Sequence, residues 1–169
     1  MKLTDTIQES YADIKAETQL LQSLAQSEEV YNEFAKMYET IKLPKNRVAY
    51  PSRDEQMYLI IEYYESIQKS INEKKISYTP SDILYFSLKG NDFSEKKQLG
   101  VFLSTLINFH HEKTANKEYF IDLSLYETPL DYVGFSTNGA HIIVNGDAGD
   151  NIGERMEKGR IIINGGYTS

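Results

Sequence analysis

Two near-copies of one five-residue segment stand 19 positions apart, Ile142-Ile143-Val144-Asn145-Gly146 and Ile161-Ile162-Ile163-Asn164-Gly165. The same offset relates Val133-Gly134 to Ile152-Gly153. A fixed offset of this kind predicts a strand-and-turn unit that buries its apolar side chains by stacking on a copy of itself. Eight of the ten glycines follow residue 133, which favours sharp turns between the strands, because glycine adopts positive φ without strain.

The segment from Gly146 to Gly165, GDAGDNIGERMEKGRIIING, resembles the glycine-patterned repeat of the GXGXG family. That family includes the C-terminal domain of the glutamate synthase large subunit and the C subunit of formylmethanofuran dehydrogenase. The resemblance covers residues from about 132 to 166 and implies a right-handed parallel β-helix. In the family's enzymes the β-helix is a scaffold that packs against catalytic domains. The resemblance therefore implies no catalytic residue and no cofactor here.

The chain before residue 118 has the patterns of about five α-helices. Ile7, Ile14 and Leu21 recur every seven residues and indicate a first, long amphipathic helix. Residues typical of helix N-termini then predict the starts of further helices at Ser27, Ser52, Thr79 and Ser94. From residue 118 the apolar side chains alternate, as in a half-buried strand.

The predicted fold class is α+β. We expect an N-terminal multi-helix domain over residues 1–117, then a short right-handed parallel β-helix, or β-solenoid, of about two coils over residues 118–169. The open end of a solenoid needs a cover. We expect the helical domain to cover one end, and a symmetric copy or another protein partner to cover the last coil at Ile161, Ile162, Ile163 and Tyr167. The alternative is that the sequence is a piece of a longer repeat array.

Composition and charge limit the classes of function. The 169 residues include no cysteine, which excludes a disulfide scaffold, a zinc finger and a thiol nucleophile. The first residues are polar and no run approaches the roughly 18 apolar residues of a membrane span, so we expect no membrane contact and a cytoplasmic location. The net charge is −7, and the basic cluster of Lys42, Lys45, Arg47 and Arg53 is too small to predict nucleic-acid binding.

Few residues are candidates for chemistry, and for each we prefer a structural interpretation. His110 and His111 are neighbours on one predicted helix, where they point about 100° apart and do not form a chelating pair. Asp147 and Asp150 flank a glycine turn without the spacing of calcium-binding repeats.

Three tyrosines, Tyr58, Tyr63 and Tyr64, recur on one predicted helix. Tyrosines at helical spacing usually pack in a core or an interface, with the hydroxyl at its wet edge. We therefore expect these side chains to pack against protein, and ligand stacking is the alternative.

The preferred interpretation is a structural or protein-interaction module, with the β-helix as scaffold or oligomerisation surface. We expect no catalytic residue, no cofactor and no metal, so an enzyme is not favoured. The alternative is an enzyme or small-molecule binder with a site at the junction of the helices and the β-helix, using His110, His111 and Asp131. A nucleic-acid-associated role through the loop at residues 42–53 is a third hypothesis.

Overall fold

The computed structural model describes residues 3–45 and 49–166 of the chain. The helices are α1 (Leu3–Thr40), α2 (Arg53–Lys74), α3 (Pro80–Lys89) and α4 (Leu99–Lys113), with a short 3₁₀-helix at Gly90–Asp92. The strands are β1 (Glu118–Asp122), β2 (Asn138–Asn145) and β3 (Lys158–Asn164). They form one parallel sheet in the order β1-β2-β3, so the fold is α+β.

The predicted β-solenoid of about two coils is wrong. Each repeat contributes one strand to a single three-stranded sheet, in which Ile142 pairs with Ile161 and Val144 pairs with Ile163. Between the strands the described chain forms turns, several at positive φ, and one isolated parallel bridge from Leu130 to Ala148, where a coil would need full strands. Helices α3 and α4 pack against β1 and β2. Helices therefore cover the apolar face that a coil would enclose.

The turns between the strands keep the 19-residue offset of the repeat. The backbone N–H of Gly149 donates to the carbonyl of Leu130 at 3.0 Å. The Asp131 carboxylate accepts from the N–H of Asp150 at 2.7 Å, and the Asp147 carboxylate accepts from the N–H of Gly166 at 2.6 Å. These aspartates join one turn to the next through the backbone.

The structure describes four α-helices where about five were predicted, because the first two predicted helices are one. Ser27, expected as an N-cap, lies inside α1, and its buried hydroxyl donates to Asp82 Oδ1 at 2.8 Å. The segment Leu3–Thr40 contains neither glycine nor proline, so no residue in it ends a helix. Ser27 therefore packs against α3 and does not cap a helix.

Of the other three predicted helix starts, two are confirmed and one is wrong. Ser52 and Thr79 both form capping boxes, with Glu55 and Asp82 respectively, which pair backbone N–H groups that the helix itself leaves free. The start at Ser94 is wrong, since α4 begins at Leu99 and its N-cap makes no side-chain hydrogen bond.

The buried residues form one cluster to which helices and strands both contribute. The Phe34 ring of α1 lies at its centre, with ring centroids 5.0 Å from Tyr78, 5.6 Å from Phe86 and 6.4 Å from Phe102. Farther towards the N-terminus of α1, every described side chain from residue 16 to residue 26 is exposed.

No structural finding tests the predicted division into two domains at residue 117, which stays a prediction.

Two buried polar side chains on α4 hold the turn that leads into β2. The Ser104 hydroxyl donates to the carbonyl of Gly100 at 2.7 Å and accepts from the N–H of Gly134 at 2.8 Å. The Asn108 side-chain amide donates to the carbonyl of Phe135 at 2.9 Å. Hydrogen bonds to buried backbone groups fix this turn on the helix, because such groups are costly to leave unpaired.

Replacing Ser104 by alanine is expected to lower the free energy of unfolding by about 1–3 kcal/mol, because it leaves the buried N–H of Gly134 without its acceptor. Urea denaturation followed by circular dichroism measures the loss. Ser66→Ala is the matched control: the Ser66 hydroxyl also bonds the carbonyl four residues earlier, but it is exposed. A change within about 0.5 kcal/mol is expected there, and equal losses in both variants would contradict the role given to Ser104.

Candidate functional site

Strand β3 lies at one edge of the sheet, and we call its residues Lys158–Asn164 the β3 edge. It pairs with β2, and the described part of the chain places no strand on its other side. Ile161 and Ile163 are half-buried and pack against the core, while Ile162 points to the opposite face and is 39% exposed. The outer side of an edge strand offers backbone donors and acceptors to another strand.

The other edge of the sheet, at β1, is in part occupied by α3. Helix α3 packs against β1, and the N–H of Asp122 donates to the Ser87 hydroxyl at 2.9 Å. A backbone donor that an edge strand would present to a partner is thus already used within the chain. Among the described residues, no comparable bond is made on the outer side of β3.

The outer face of the sheet carries an apolar row that ends at the β3 edge. The register aligns Phe120, Ile143 and Ile162 across the three strands, and Phe120 is 48% exposed. We call these three residues the apolar row. A charged row lies on one side of it and an amide-rich row on the other: Glu118, His141 and Arg160, then Asp122, Asn145 and Asn164.

The amide-rich row is joined across strands. The Asn145 amide donates to Asp122 Oδ2 at 3.0 Å. Hydrogen bonds from Ser124 first, and from Asn145, hold the pKa of the Asp122 carboxyl below its usual value. Asp122 therefore stays ionised as an acceptor at this end of the sheet, and the apolar row is bounded by polar groups.

The predicted interface residues Ile161, Ile162 and Ile163 thus lie together on the β3 edge, as consecutive positions of one strand. Tyr167, the fourth residue of that prediction, lies outside the described residues. The three described residues of the predicted interface thus lie on an edge strand that has isoleucine on both of its faces.

The histidines of the alternative hypothesis have structural partners. His110 is buried, and its Nδ1 lies 2.9 Å from the Tyr119 hydroxyl oxygen. Burial lowers the pKa of His110. His111 Nδ1 lies 2.8 Å from the carbonyl oxygen of Asn116. Asp131 bonds the backbone of the neighbouring turn, as described above. Within residues 3–45 and 49–166, no three or more His, Asp or Glu side chains are placed to hold a metal ion.

The basic cluster is only partly described. Lys42 and Lys45 are exposed, and Arg53 forms an exposed ion pair with Glu154 at 3.5 Å. Arg47 lies outside the described residues. Exposed pairs of this kind contribute little stability.

The three tyrosines of α2 differ in environment. Tyr63 is buried in the core, as predicted, and the half-buried Tyr64 hydroxyl accepts from the Asn108 amide at 3.0 Å. Tyr58 is 68% exposed, so the prediction that it packs against protein is not met within the described chain. The core side of α2 runs along Tyr63 and Tyr64.

Sequence reasoning missed a cavity of about 390 Å³ between α2, α4 and the segment that joins α1 to α2. Its lining comes from the segment between α1 and α2 (Leu43, Pro44 and Pro51), from residues 56–63 and 97–101, and from Tyr132. No local pattern in the sequence marks such a space, because its walls meet only after the helices pack. The one feature of the sequence analysis close to this cavity was the spacing of the tyrosines on α2.

Comparison of the chain with models of protein families, with curated proteins and with solved structures found no match in any of the three. The resemblance of residues 132–166 to the GXGXG family stays a prediction, and the β-helix that it implied is not present. Among the described helices, none has an apolar stretch long enough to cross a membrane.

Proposed function

We propose that this chain is a cytoplasmic protein-interaction module that self-associates through the β3 edge and has no catalytic chemistry of its own. The observation that carries the proposal is the open β3 edge, with three consecutive isoleucines, next to the partly exposed apolar row. The location is part of the proposal; the absence of cysteine is compatible with a reducing compartment, where disulfides are rare.

The charges of β3 favour an antiparallel pairing of two copies. In a two-fold arrangement centred on Ile161, Lys158 faces Asn164 of the second copy and Arg160 faces Ile162. No two cations are then opposite each other. Parallel pairing in register would set Lys158 against Lys158 and Arg160 against Arg160, and like charges directly opposite are destabilising. A two-fold pairing also closes, so that each copy uses its edge once.

The Ile162 side chains gain most from this arrangement. They lie on the outer face, where Ile162 of each copy is a diagonal neighbour of the other, within reach for contact. The apolar row of one sheet then continues into that of the second copy.

Replacing Ile162 by lysine is expected to convert a dimer into a monomer. Each chain has a mass of 19.4 kDa, so light scattering at micromolar concentration should give about twice that mass for the unaltered chain and about 19 kDa for the variant. The added charge would lie directly opposite Arg160 of the second copy and diagonally across from the second copy's added charge, and like charges so placed are destabilising. Circular dichroism checks that the variant is folded, since Ile162 lies outside the core.

The matched control is Leu125→Lys, which adds the same charge at a residue that is 66% exposed and outside β3. It should stay dimeric. A monomeric unaltered chain, or a dimer that persists in Ile162→Lys, would contradict the proposal.

The exposed part of α1 offers a different surface for association. Leu20 is 60% exposed and Leu24 is 47% exposed, one helical turn apart. A double variant, Leu20→Lys with Leu24→Lys, tests this surface under the same conditions. Loss of the dimer in the double variant but not in Ile162→Lys would place the interface on α1 and overturn the assignment to β3.

A further inference from the structure

Asparagine is followed by glycine at three places in the chain, Asn138-Gly139, Asn145-Gly146 and Asn164-Gly165. Asparagine is one of the thermolabile residues. It is most labile before glycine, because a residue without a Cβ leaves its own backbone nitrogen unshielded for attack on the asparagine side chain. Two of the pairs lie at the two ends of β2, and the third lies at the end of β3. The sheet therefore determines which pair can react.

The three glycines differ in exposure. Gly165 is exposed, whereas Gly139 and Gly146 are half-buried. The attacking nitrogen has to lose its proton to a base from the solvent, so partial burial of the glycine slows the reaction. Exposure therefore favours reaction at Asn164.

The asparagine side chains also differ in their partners. Asn145 is the register partner of Asn164 in the preceding repeat, and its amide donates to Asp122 Oδ2 at 3.0 Å. The carbonyl of Asn145 accepts from the N–H of Leu123 at 2.6 Å. Ring closure at Asn145 would break both hydrogen bonds. The Asn164 side chain is exposed and makes no hydrogen bond with a residue that the structure describes.

The hydrogen-bond pattern of the sheet places the backbone nitrogen of Gly165 on the outer side of β3. The N–H of His141 and the carbonyl of Asn145 both bond towards β1, so the odd-numbered residues of β2 face β1 and the even-numbered ones face β3. In parallel pairing a residue bonds to the two neighbours of its register partner. Because Ile142 is the partner of Ile161, the odd-numbered residues of β3 face outwards, and the same alternation applies to Gly165.

No described strand lies on that outer side, and within residues 3–45 and 49–166 no backbone hydrogen bond of the Gly165 N–H is found. The end of an edge strand is also where a sheet opens most readily, since it is paired on one side alone. The backbone rotation that brings the nitrogen of Gly165 to the side chain of Asn164 is therefore less hindered than its counterpart at Asn145.

We propose that Asn164 is a site of spontaneous deamidation and the first of the three asparagines to react in the folded chain. The backbone nitrogen of Gly165 forms a bond to Cγ of Asn164, the Cγ–Nδ2 bond breaks, and the side-chain nitrogen leaves as ammonia with the proton of the glycine N–H. Water then opens the cyclic imide at either of its two carbonyls and gives aspartate or isoaspartate. Water is the only other reactant.

The products change the end of the β3 edge. Both add one negative charge at position 164. Isoaspartate also carries the main chain through its side chain and so lengthens the backbone, which would displace the N–H of Gly166 from the Asp147 carboxylate that it meets at 2.6 Å. The modification therefore alters the last turn of the described chain whether or not the protein self-associates.

The test incubates the full chain in mildly alkaline buffer and follows the three sites over time by mass spectrometry of proteolytic peptides, in which NH₂ is exchanged for OH. The rate at Asn164 should exceed the rate at Asn145 by at least about tenfold, the effect of one hydrogen bond to a charged group. In the urea-unfolded chain the three rates should be similar, because each asparagine precedes glycine. Equal rates in the folded chain, or a faster rate at Asn138 or Asn145, would overturn the proposal.

Two variants of one strand test the reason for the difference. Asp122→Ala removes the acceptor of the Asn145 amide and should raise the rate at Asn145 roughly tenfold, with the rate at Asn164 unchanged. Glu118→Ala is the matched control, since it removes an exposed carboxylate of β1 that is aligned with His141, and it should change neither rate. A rise at both sites or at neither in Asp122→Ala would contradict the protection assigned to Asp122.

Asn164→Gln should abolish the mass increase of its peptide, because glutamine forms the corresponding larger ring far more slowly, and a mass increase that persists there would overturn the assignment to Asn164. All rates are measured in dilute solution, where pairing of two chains at the β3 edge is least favoured. The outcome is therefore independent of the proposed self-association, which light scattering tests separately.

Discussion

Gly100→Ala is expected to lower the free energy of unfolding by about 3 kcal/mol. In an exposed helix interior the same change usually raises stability by up to about 1 kcal/mol, so the expected sign is reversed. The reason is steric: a Cβ at residue 100 would lie 1.8 Å from the carbonyl oxygen of Asp131. That atom belongs to the backbone of a turn that Ser104 and the neighbouring turn both hold, so it cannot move aside cheaply.

Thermal or urea denaturation measures the effect, and Gly166→Ala is the control. The nearest atom to a Cβ at Gly166 is Asp147 Oδ1 at 3.3 Å, the end of an exposed side chain, so a change within about 0.5 kcal/mol is expected. If Gly100→Ala proves as stable as the unaltered chain, the close approach of α4 to the Asp131 turn is not a feature of the folded protein.

Phe34→Ala is expected to cost about 3–5 kcal/mol, the usual loss for removing a buried aromatic side chain. Phe34 is fully buried, and its ring contacts the rings of Tyr78, Phe86 and Phe102. The substitution would remove the contacts of the Phe34 ring with these three rings and leave a cavity that the neighbouring rings fill only in part.

The control lies on the same helix. Leu20→Ala also shortens a large apolar side chain, but Leu20 is 60% exposed, so its effect on unfolding should stay within about 0.5 kcal/mol. Comparable losses for Phe34→Ala and Leu20→Ala, measured by urea denaturation, would show that the two parts of α1 do not differ in packing as described.

Local chemistry accounts for what the sequence predicted correctly. Ser52 and Thr79 cap helices with residues three positions away, so the signal and its partner are both visible in one short window. The 19-residue offset likewise predicted that the repeated strands stack, and Ile142 and Ile161 are register partners. Equivalent residues of the two repeats lie side by side because the two strands are neighbours joined by backbone hydrogen bonds.

Long-range packing accounts for what the sequence did not predict. The Ser27 partner, Asp82, is 55 residues away along the chain, so the residue was interpreted as a cap. The solenoid prediction assumed that the repeat buries its own apolar face, whereas α3 and α4 cover that face. Periodicity predicts that a face is buried but does not identify what buries it.

The candidate sites show the same difference between features that local sequence predicts and features that depend on long-range packing. Three consecutive isoleucines predicted an interface, but only the sheet order shows that no described strand lies beyond β3, while α3 packs against β1. The cavity could not be predicted, because Leu43, Leu59, Val101 and Tyr132 come from four distant stretches. That the Tyr63 hydroxyl has no partner among the described residues is likewise evident only from the packed structure.

The length of α1 has a mechanical consequence. The helix has 38 residues, about 57 Å at 1.5 Å per residue, and the Ser27–Asp82 hydrogen bond lies partway along it. The portion from Leu3 to Ser27 measures about 36 Å, so a tilt of about 5° at that hydrogen bond displaces the far tip by about 3 Å. Any rearrangement of α3 that tilted α1 about this hydrogen bond would therefore be enlarged at the N-terminal end of the helix.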